Sequence, residues 1–237
     1  MKKLFLNLFH KAYSLNEKNI IYLCRFFGKA GKWLDLGCDD GSWTERIADK
    51  NVQWYGVEIV SKRAKLAAKR GIKVKVSSLE AVLPYASHTF DLVHSNQVIE
   101  HLFNIDLFIR EIYRVLKPGG VLILSTENPA SWHNIFALLL GWQMFSATNI
   151  SVKKLGVGNP LAIHRDKTFN DLGGRTEAWG HNKLLTPYAL ADLLRSYQFK
   201  ILKILGSGYH PLPAILGKLD SNHSHFYSVA ARKPNRQ

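Results

Sequence analysis

The stretch Trp33-Leu34-Asp35-Leu36-Gly37-Cys38-Asp39-Asp40-Gly41-Ser42-Trp43 holds the residue types that a nucleotide-like ligand requires. An apolar run leading into Gly37 and Gly41 lets backbone approach a ligand closely, and a helix opening just after it offers unpaired N–H groups. A nicotinamide dinucleotide site needs Gly-x-Gly-x-x-Gly, but counting from Gly37 puts Asp39 and Ser42 at the second and third places, so that reading fails. Glu58 closes Tyr55-Gly56-Val57-Glu58 about 20 residues after the loop, where a strand-end carboxylate can accept both hydroxyls of a ribose. Either feature alone is a weak match; their joint spacing within strand-helix units carries the argument.

Four histidines could hold or take a proton: His101, His133, His164 and His181. For any one of them the plain reading is a hydrogen-bonded structural or surface residue. His101 ranks first because it lies just past a strand whose carboxyl end points at the glycine loop. No Cys/His spacing predicts a metal site, and no serine sits in a nucleophile elbow. The apolar run Ser131 to Trp142 reads first as a core helix; the sharper reading is an apolar acceptor pocket or a membrane-facing lid, with Trp132 and Trp142 suited to an interface.

The elements that must position these residues follow from periodicity. An amphipathic N-terminal helix places Leu4, Leu8, Ala12 and Leu15 on one face, and a second part places Ile20, Leu23, Cys24 and Phe27 inward. Strands are predicted at Lys32–Leu36, Gln53–Glu58, Ile72–Val76, Phe90–His94, Gly120–Ser125, Phe199–Leu205 and Phe226–Ala231. Their alternation with helices predicts an α/β fold, a Rossmann-like seven-stranded mostly parallel sheet with helices on both faces. One helix turns Ile105, Ile109, Ile112 and Leu116 to the core and ends at Lys117-Pro118-Gly119-Gly120; another opens with Thr186 as N-cap and Pro187 at its first position, with Leu190, Leu193, Leu194 and Tyr197 inward. A third carries Lys62, Arg63, Lys65, Lys69 and Arg70 outward and Ala64, Ala67 and Ala68 toward the sheet. Residues 127–182 break the rhythm and read as an inserted lid and acceptor segment, in which Asn159, His164, Arg165, Arg175 and His181 would orient an acceptor. The chain is thus expected to be one domain: N-terminal helices over 1–31, a cofactor-binding half over 32–126, the lid over 127–182, and a helix with two strands over 183–237.

From about Lys32 to Lys233 the chain resembles class I S-adenosylmethionine-dependent methyltransferases, especially the group that includes the ubiquinone-biosynthesis O-methyltransferases. The matching motifs are Leu34-Asp35-Leu36-Gly37-Cys38 with Gly41, Glu58, Leu83-Pro84-Tyr85 before Phe90-Asp91-Leu92-Val93, Val98-Ile99-Glu100-His101-Leu102, Val115-Leu116-Lys117-Pro118-Gly119-Gly120, and Gly180-His181 before Leu185-Thr186-Pro187. The resemblance implies S-adenosyl-L-methionine as cofactor. It places Asp35, Gly37 and Gly41 beside the methionine part, Cys38 within the cofactor-binding loop, Glu58 on the ribose, Ser78 and Leu79 beside the adenine, and Ser95 and Asn96 beside the methionyl group. Two positions depart from the pattern: Asp39 replaces the loop's middle glycine, which Asp tolerates at positive φ, and Ser78 replaces the acid after the third strand, with Glu80 as a substitute. Methyl transfer needs a nucleophile held in line, and a base only where the acceptor carries a proton that is hard to lose, so His101 and His181 are the candidate catalytic residues.

Composition bounds the partners. The chain has 237 residues, 46% of them hydrophobic, which suits one sizeable α/β domain. A net charge of +14 would attract nucleic acid, an anionic membrane surface or an anionic substrate, although much of the excess reads as a solubilising surface. Nucleic acid is disfavoured by the missing aromatic-basic recognition motif. The two cysteines, Cys24 and Cys38, fit a reducing cytoplasm, and the apolar run is far too short to span a bilayer, leaving peripheral contact with the inner face of an anionic membrane. The expected acceptor is an oxygen or nitrogen of a small molecule, glycan or lipid-linked compound; a catalytically impaired cofactor-binding regulator or scaffold, and an RNA methyltransferase, are the rival readings.

Overall fold

The computed structural model describes residues 2–28, 30–47, 51–151, 153–163 and 180–235. His164, Arg165 and Arg175 lie outside the described residues. Seven strands form one sheet: β1 (Gly31–Leu36), β2 (Val52–Glu58), β3 (Lys73–Val76), β4 (Phe90–Asn96), β5 (Leu116–Glu127), β6 (Lys200–Ser207) and β7 (Phe226–Arg232). Their order is β3-β2-β1-β4-β5-β7-β6, with β7 antiparallel to both neighbours and the other described pairings parallel. The expected fold class is therefore the one observed.

The helices are α1 (Lys2–Phe27), α2 (Ser42–Ile47), α3 (Ser61–Lys69), α4 (Ile105–Val115), α5 (Trp132–Leu139) and α6 (Pro187–Ser196). Strand alternation divides the core in two. Leu34, Leu36, Val93, Leu122 and Leu124 point to the face covered by Phe108, Ile109, Ile112 and Val115 of α4 and by Leu190 and Leu194 of α6. Trp33, Leu92, Val121 and Ile123 point the other way, against Ile20, Leu23 and Cys24 of α1, Ile47 of α2 and Ala67 of α3. Two caps form as expected or better: Thr186 Oγ1 accepts from the Ala189 N–H at 3.1 Å, and Asn104 Oδ1 accepts from the Leu107 N–H at 2.9 Å, closing the first turns of α6 and α4.

Several local expectations are corrected. The N-terminal helices are one continuous helix, on which Leu15 is only half-buried while Asn16 and Asn19 are buried. Ala68 faces solvent, because a nine-residue helix lying on a sheet buries only the Ala64 and Ala67 edge. Strand β5 starts at Leu116 rather than Gly120: Leu116 pairs with Phe90 and Val121 with Leu92, so Lys117 to Gly120 form an irregularity within the strand.

The plain reading of the apolar run is overturned. Helix α5 buries His133, Asn134 and Ala137 and exposes Phe136, Leu138 and Leu139, the last at 77%. Hydrogen bonds decide this orientation, since Asn134 Nδ2 donates to the Asn128 carbonyl at 3.0 Å and to Ser146 Oγ at 2.8 Å, which fixes the polar edge inward.

Candidate active site

Strand β1 ends under a tight loop. Gly37 has φ +77°, and a Cβ there would lie 2.7 Å from Val98 Cγ2. Gly41 has φ +78°, and a Cβ would press on Ile72 and the Ala67 backbone, so this glycine lets the start of α2 pack on α3. Asp39 takes positive φ, +47°, as its residue type allows.

Two carboxylates hold the loop from below. Asp35 Oδ2 accepts from Thr44 Oγ1 at 2.6 Å, and its Oδ1 lies 3.1 Å from His94 Nδ1. Glu58 accepts from the Asp39 N–H at 3.1 Å and from the Val60 N–H at 2.7 Å, which ties the end of β2 to the glycine loop. Cys38 is buried against Gly56, and burial together with nearby Asp35 raises its thiol pKa. Ser95 is buried with its hydroxyl 3.4 Å from the Leu36 carbonyl, whereas Asn96 opens onto the cavity above. Ser78 and Leu79 follow β3 on the far side of β2; Ser78 Oγ accepts from the Glu80 N–H and Leu79 packs on the core. Glu80, the expected substitute for the missing acid, accepts from the Phe103 and Asn104 N–H groups at 2.6 and 3.0 Å, which ties it to the turn before α4.

Above the carboxyl ends of β1, β4 and β5 lies a cavity of about 480 Å³. Gly37, Asp39, Trp43 and Asn96 form one side; His101, Glu127, Ser146 and His181 face it from the turn after β4 and from the inserted segment. A smaller cavity below is lined by Asp35, Gly37, Cys38, Asp39, His94 and Asn96, among others, and His94 Nε2 has no partner there among the described residues.

His101 and His181, 80 residues apart in sequence, have ring centroids 5.0 Å apart. Backbone pairing produces this meeting: the Asn182 and Lys183 N–H groups donate to the Glu100 carbonyl at 2.7 and 3.1 Å, and Asn182 Nδ2 donates to the His101 carbonyl at 2.7 Å. His101 Nδ1 donates to the Gly180 carbonyl, which leaves Nε2 as an acceptor; burial and then neighbouring His181 push its pKa down to about 4, so the ring is neutral near pH 7. His181 Nδ1 donates to the Ser146 carbonyl and lies 3.6 Å from the Glu127 carboxylate. Burial raises Glu127 to about 8 and Glu100 to about 7, and Glu100 also accepts from Thr126 Oγ1 at 2.9 Å. His133, also weighed from the sequence, lines the same cavity.

Sequence reasoning missed four contributors. Glu127 is the last residue of β5, at the end of an apolar strand where nothing in the sequence marks it as part of the site. Tyr13 and Phe9 reach the cavity from α1. Asn16 is fully buried: its Nδ2 donates to Asn96 Oδ1 at 3.2 Å, and its Oδ1 accepts from Ser125 Oγ at 2.8 Å and Ser228 Oγ at 3.0 Å. The available signal was a polar residue on the stripe of Ala12, Ile20 and Leu23.

A family model for a methyltransferase domain matches residues 8–204. The ubiquinone biosynthesis O-methyltransferase of Nitrosospira multiformis is 31% identical over 216 residues, covering 87% of this chain and 79% of that protein. The mitochondrial enzyme of that name from Rattus norvegicus is 31% identical over 122 residues, 48% of this chain and 35% of its own length, so the chain spans about a third of that relative. An S-adenosylmethionine-dependent methyltransferase structure from Thermotoga maritima shares the fold with a TM-score of 0.60 at 18% identity, covering 98% of this chain and 93% of that one. With its glycine loop, its strand order and this match over most of its length, the chain belongs to the methyltransferase domain family, in its class I, S-adenosylmethionine-dependent form.

Proposed function

We propose that the chain transfers a methyl group from S-adenosylmethionine to an oxygen or nitrogen of a small-molecule, glycan or lipid-linked acceptor. One observation carries this reading: the glycine-loop end of β1, Asn96 at the end of β4, and the His101–His181 pair all face one cavity large enough for a reacting pair. The residues fit the cofactor. Gly37 lines both cavities at the β1 end, His94 Nε2 is a buried polar atom with no partner among the described residues, and a carboxylate such as Glu58 has lone pairs for more than two donors. Asp35, Gly37, Cys38, Gly41, Ser95 and Asn96 would hold the methionine end, Glu58 the ribose, and Ser78 with Leu79 the adenine. The bound cofactor supplies a methyl group on a sulfonium.

The chain's own residues position the acceptor and handle its proton. His101 offers a neutral Nε2 at any pH above about 5, but with its lowered pKa it is a weak base, suited to acidic hydroxyls rather than aliphatic ones. Glu127 holds its proton up to about pH 8 and reaches the same side of the cavity through His181. The inserted segment lines the cavity through Ser146, Thr148, Asn149 and His181, which supports its reading as a lid that would exclude water.

The same reading places the protein in the cytoplasm, with peripheral contact at the inner face of an anionic membrane. No helix among the described residues is long and apolar enough to cross a bilayer. The exposed apolar side of α5, with Phe136, Leu138 and Leu139, and the net charge of +14 support contact with the surface. Incubating the protein with labelled S-adenosylmethionine and separate pools of lipid extract, glycans and tRNA tests the assignment: label in the lipid or glycan pool supports it, and label in tRNA alone overturns it.

A further inference from the structure

Besides the His101–His181 pair, the cavity lining carries a second group of imidazoles that the transfer of a methyl group does not use. His133 comes from α5, His210 from the loop after β6, and His225 from the residue just before β7. All three are more than nine-tenths buried. Their ring centroids stand 4.2 Å apart for His133 and His225, 5.3 Å for His210 and His225, and 5.9 Å for His133 and His210.

Hydrogen-bonding capacity is left over here. His133 Nδ1, His225 Nδ1 and both nitrogens of His210 have no partner within hydrogen-bond distance among the described residues, although the Leu8 backbone lies close enough to His210 to raise its proton affinity. Buried polar atoms are nearly always satisfied, so several orphans in one cluster on a cavity wall mark a place where something else supplies the partner. A metal ion is not that partner, since no three His, Cys, Asp or Glu side chains among the described residues converge as a metal requires. A cation is disfavoured because no carboxylate belongs to the cluster. An anionic group suits it, because each neutral imidazole offers one N–H and a carboxylate or phosphate accepts from several at once. The surroundings suit a flat or apolar body: His225 stacks on Phe226 at 4.3 Å, and Phe9 meets both His225 and Phe226 edge-on at 5.5 and 5.6 Å.

We propose that His133, His210 and His225 form an anchoring subsite for a carboxylate or phosphate group of the acceptor, whose reacting atom then reaches the His101–His181 side of the same cavity. The word acceptor rests on the transferase reading; the anion site does not. Burial lowers the proton affinity of all three rings, and repulsion from neighbouring rings adds to it at His133 and His225, so all three are neutral near pH 7. An anion among them restores that affinity, and binding takes up a proton from solution. The other ionisable groups on the cavity wall are Tyr13 from α1, Asp39 from the glycine loop, Glu100 and His101 after β4, Glu127 from β5, and His181. Glu127, raised by burial, would also hold its proton beside an anion.

The test is calorimetry on the full chain, with and without S-adenosylhomocysteine, using benzoate and phenyl phosphate as probes and benzamide as the neutral isostere of benzoate. Each is titrated at neutral pH in two buffers of different protonation heat. At least one anion should bind about tenfold or more tighter than benzamide, the smallest gain expected of a charge-assisted hydrogen bond, with proton uptake. Which probe binds distinguishes carboxylate from phosphate. His225→Gln and His133→Gln should each lose that preference while S-adenosylhomocysteine binds as before. Equal binding of benzamide and both anions, preference without proton uptake, preference abolished by a chelator, or preference retained in both variants overturns the subsite. If the variants do not fold, imidazole ¹⁵N resonances of the unmodified protein decide: they shift on adding the anion, or the inference fails. Absence of S-adenosylhomocysteine binding with the anion preference intact would instead sink the transferase reading alone.

Discussion

His101 Nδ1 lies 3.1 Å from the Gly180 carbonyl oxygen, and because a carbonyl can only accept, the ring is held with its hydrogen on Nδ1 and its lone pair on Nε2. The tautomer of the candidate base is thereby set by a backbone group 79 residues away. His101→Ala should lower turnover on a hydroxyl acceptor by about 10²-fold, the scale of general-base assistance, while the affinity for S-adenosylmethionine stays within a factor of about two. Because burial holds its pKa near 4, the unmodified enzyme should show no acid limb near pH 6.5 attributable to this residue. Steady-state kinetics from pH 5 to 9 checks both points, and native turnover in the variant would return His101 to a structural role.

Glu58→Ala should weaken S-adenosylmethionine binding by about 1.5–3 kcal/mol, the worth of a hydrogen bond to a charged group. The structure adds a second effect, since Glu58 also accepts from the Asp39 and Val60 N–H groups, so melting temperature should fall as well. Calorimetric affinity equal to that of the unmodified chain would remove Glu58 from the cofactor site.

Asn16→Leu leaves the Ser125 and Ser228 hydroxyls and the Asn96 amide oxygen with one partner fewer in a buried position. A stability loss of about 1–3 kcal/mol is expected. Because Asn96 opens onto the cavity, cofactor affinity should fall with it. A denaturant melt together with a binding isotherm measures the two; a stability loss with unchanged affinity would confine Asn16 to the fold.

Glu127 and the buried histidines give stability opposite dependences on pH. A carboxyl raised from 4.5 to about 8 in the folded state stabilises fully below pH 4.5, and that contribution is lost as pH rises toward 8. His133, lowered from 6.5 to about 3, does the reverse: its contribution is complete above 6.5 and is lost as pH falls toward 3. Glu127→Gln should therefore gain melting temperature relative to the unmodified chain as pH increases from 5 to 8.5, by roughly 2–4 °C for each kcal/mol relieved. A difference that stays constant across that range would mean that Glu127 titrates as an ordinary carboxylate.

Leu139→Asp and Phe136→Ser alter side chains that are 77% and 60% exposed, so neither should lower the melting temperature appreciably. If α5 contacts a membrane, both should abolish co-sedimentation with vesicles containing phosphatidylglycerol. Retained co-sedimentation in the double variant would assign any membrane affinity to charge alone.

The order of strands and helices, the caps of α6, the positive φ of Asp39 and the family itself were legible in the sequence, because each depends on neighbours within a few residues: side-chain period, a turn that only certain residues tolerate, a hydroxyl reaching the next turn of helix. What sequence could not decide involves partners far apart along the chain. The apolar run of α5 has helical character in any reading, yet which side it buries was settled by Asn134 meeting Ser146 and the Asn128 carbonyl. Asn16 sits on an apolar stripe as an anomaly until α1 crosses the ends of β4, β5 and β7, where three polar side chains need it. The assembly of His133, His210 and His225 in the cavity that His101 and His181 also line exists only once α5, the loop after β6 and the start of β7 have packed together. Local geometry is written in residue type; the pairing of distant polar groups depends on which elements pack against which, and that is decided only when the whole core closes.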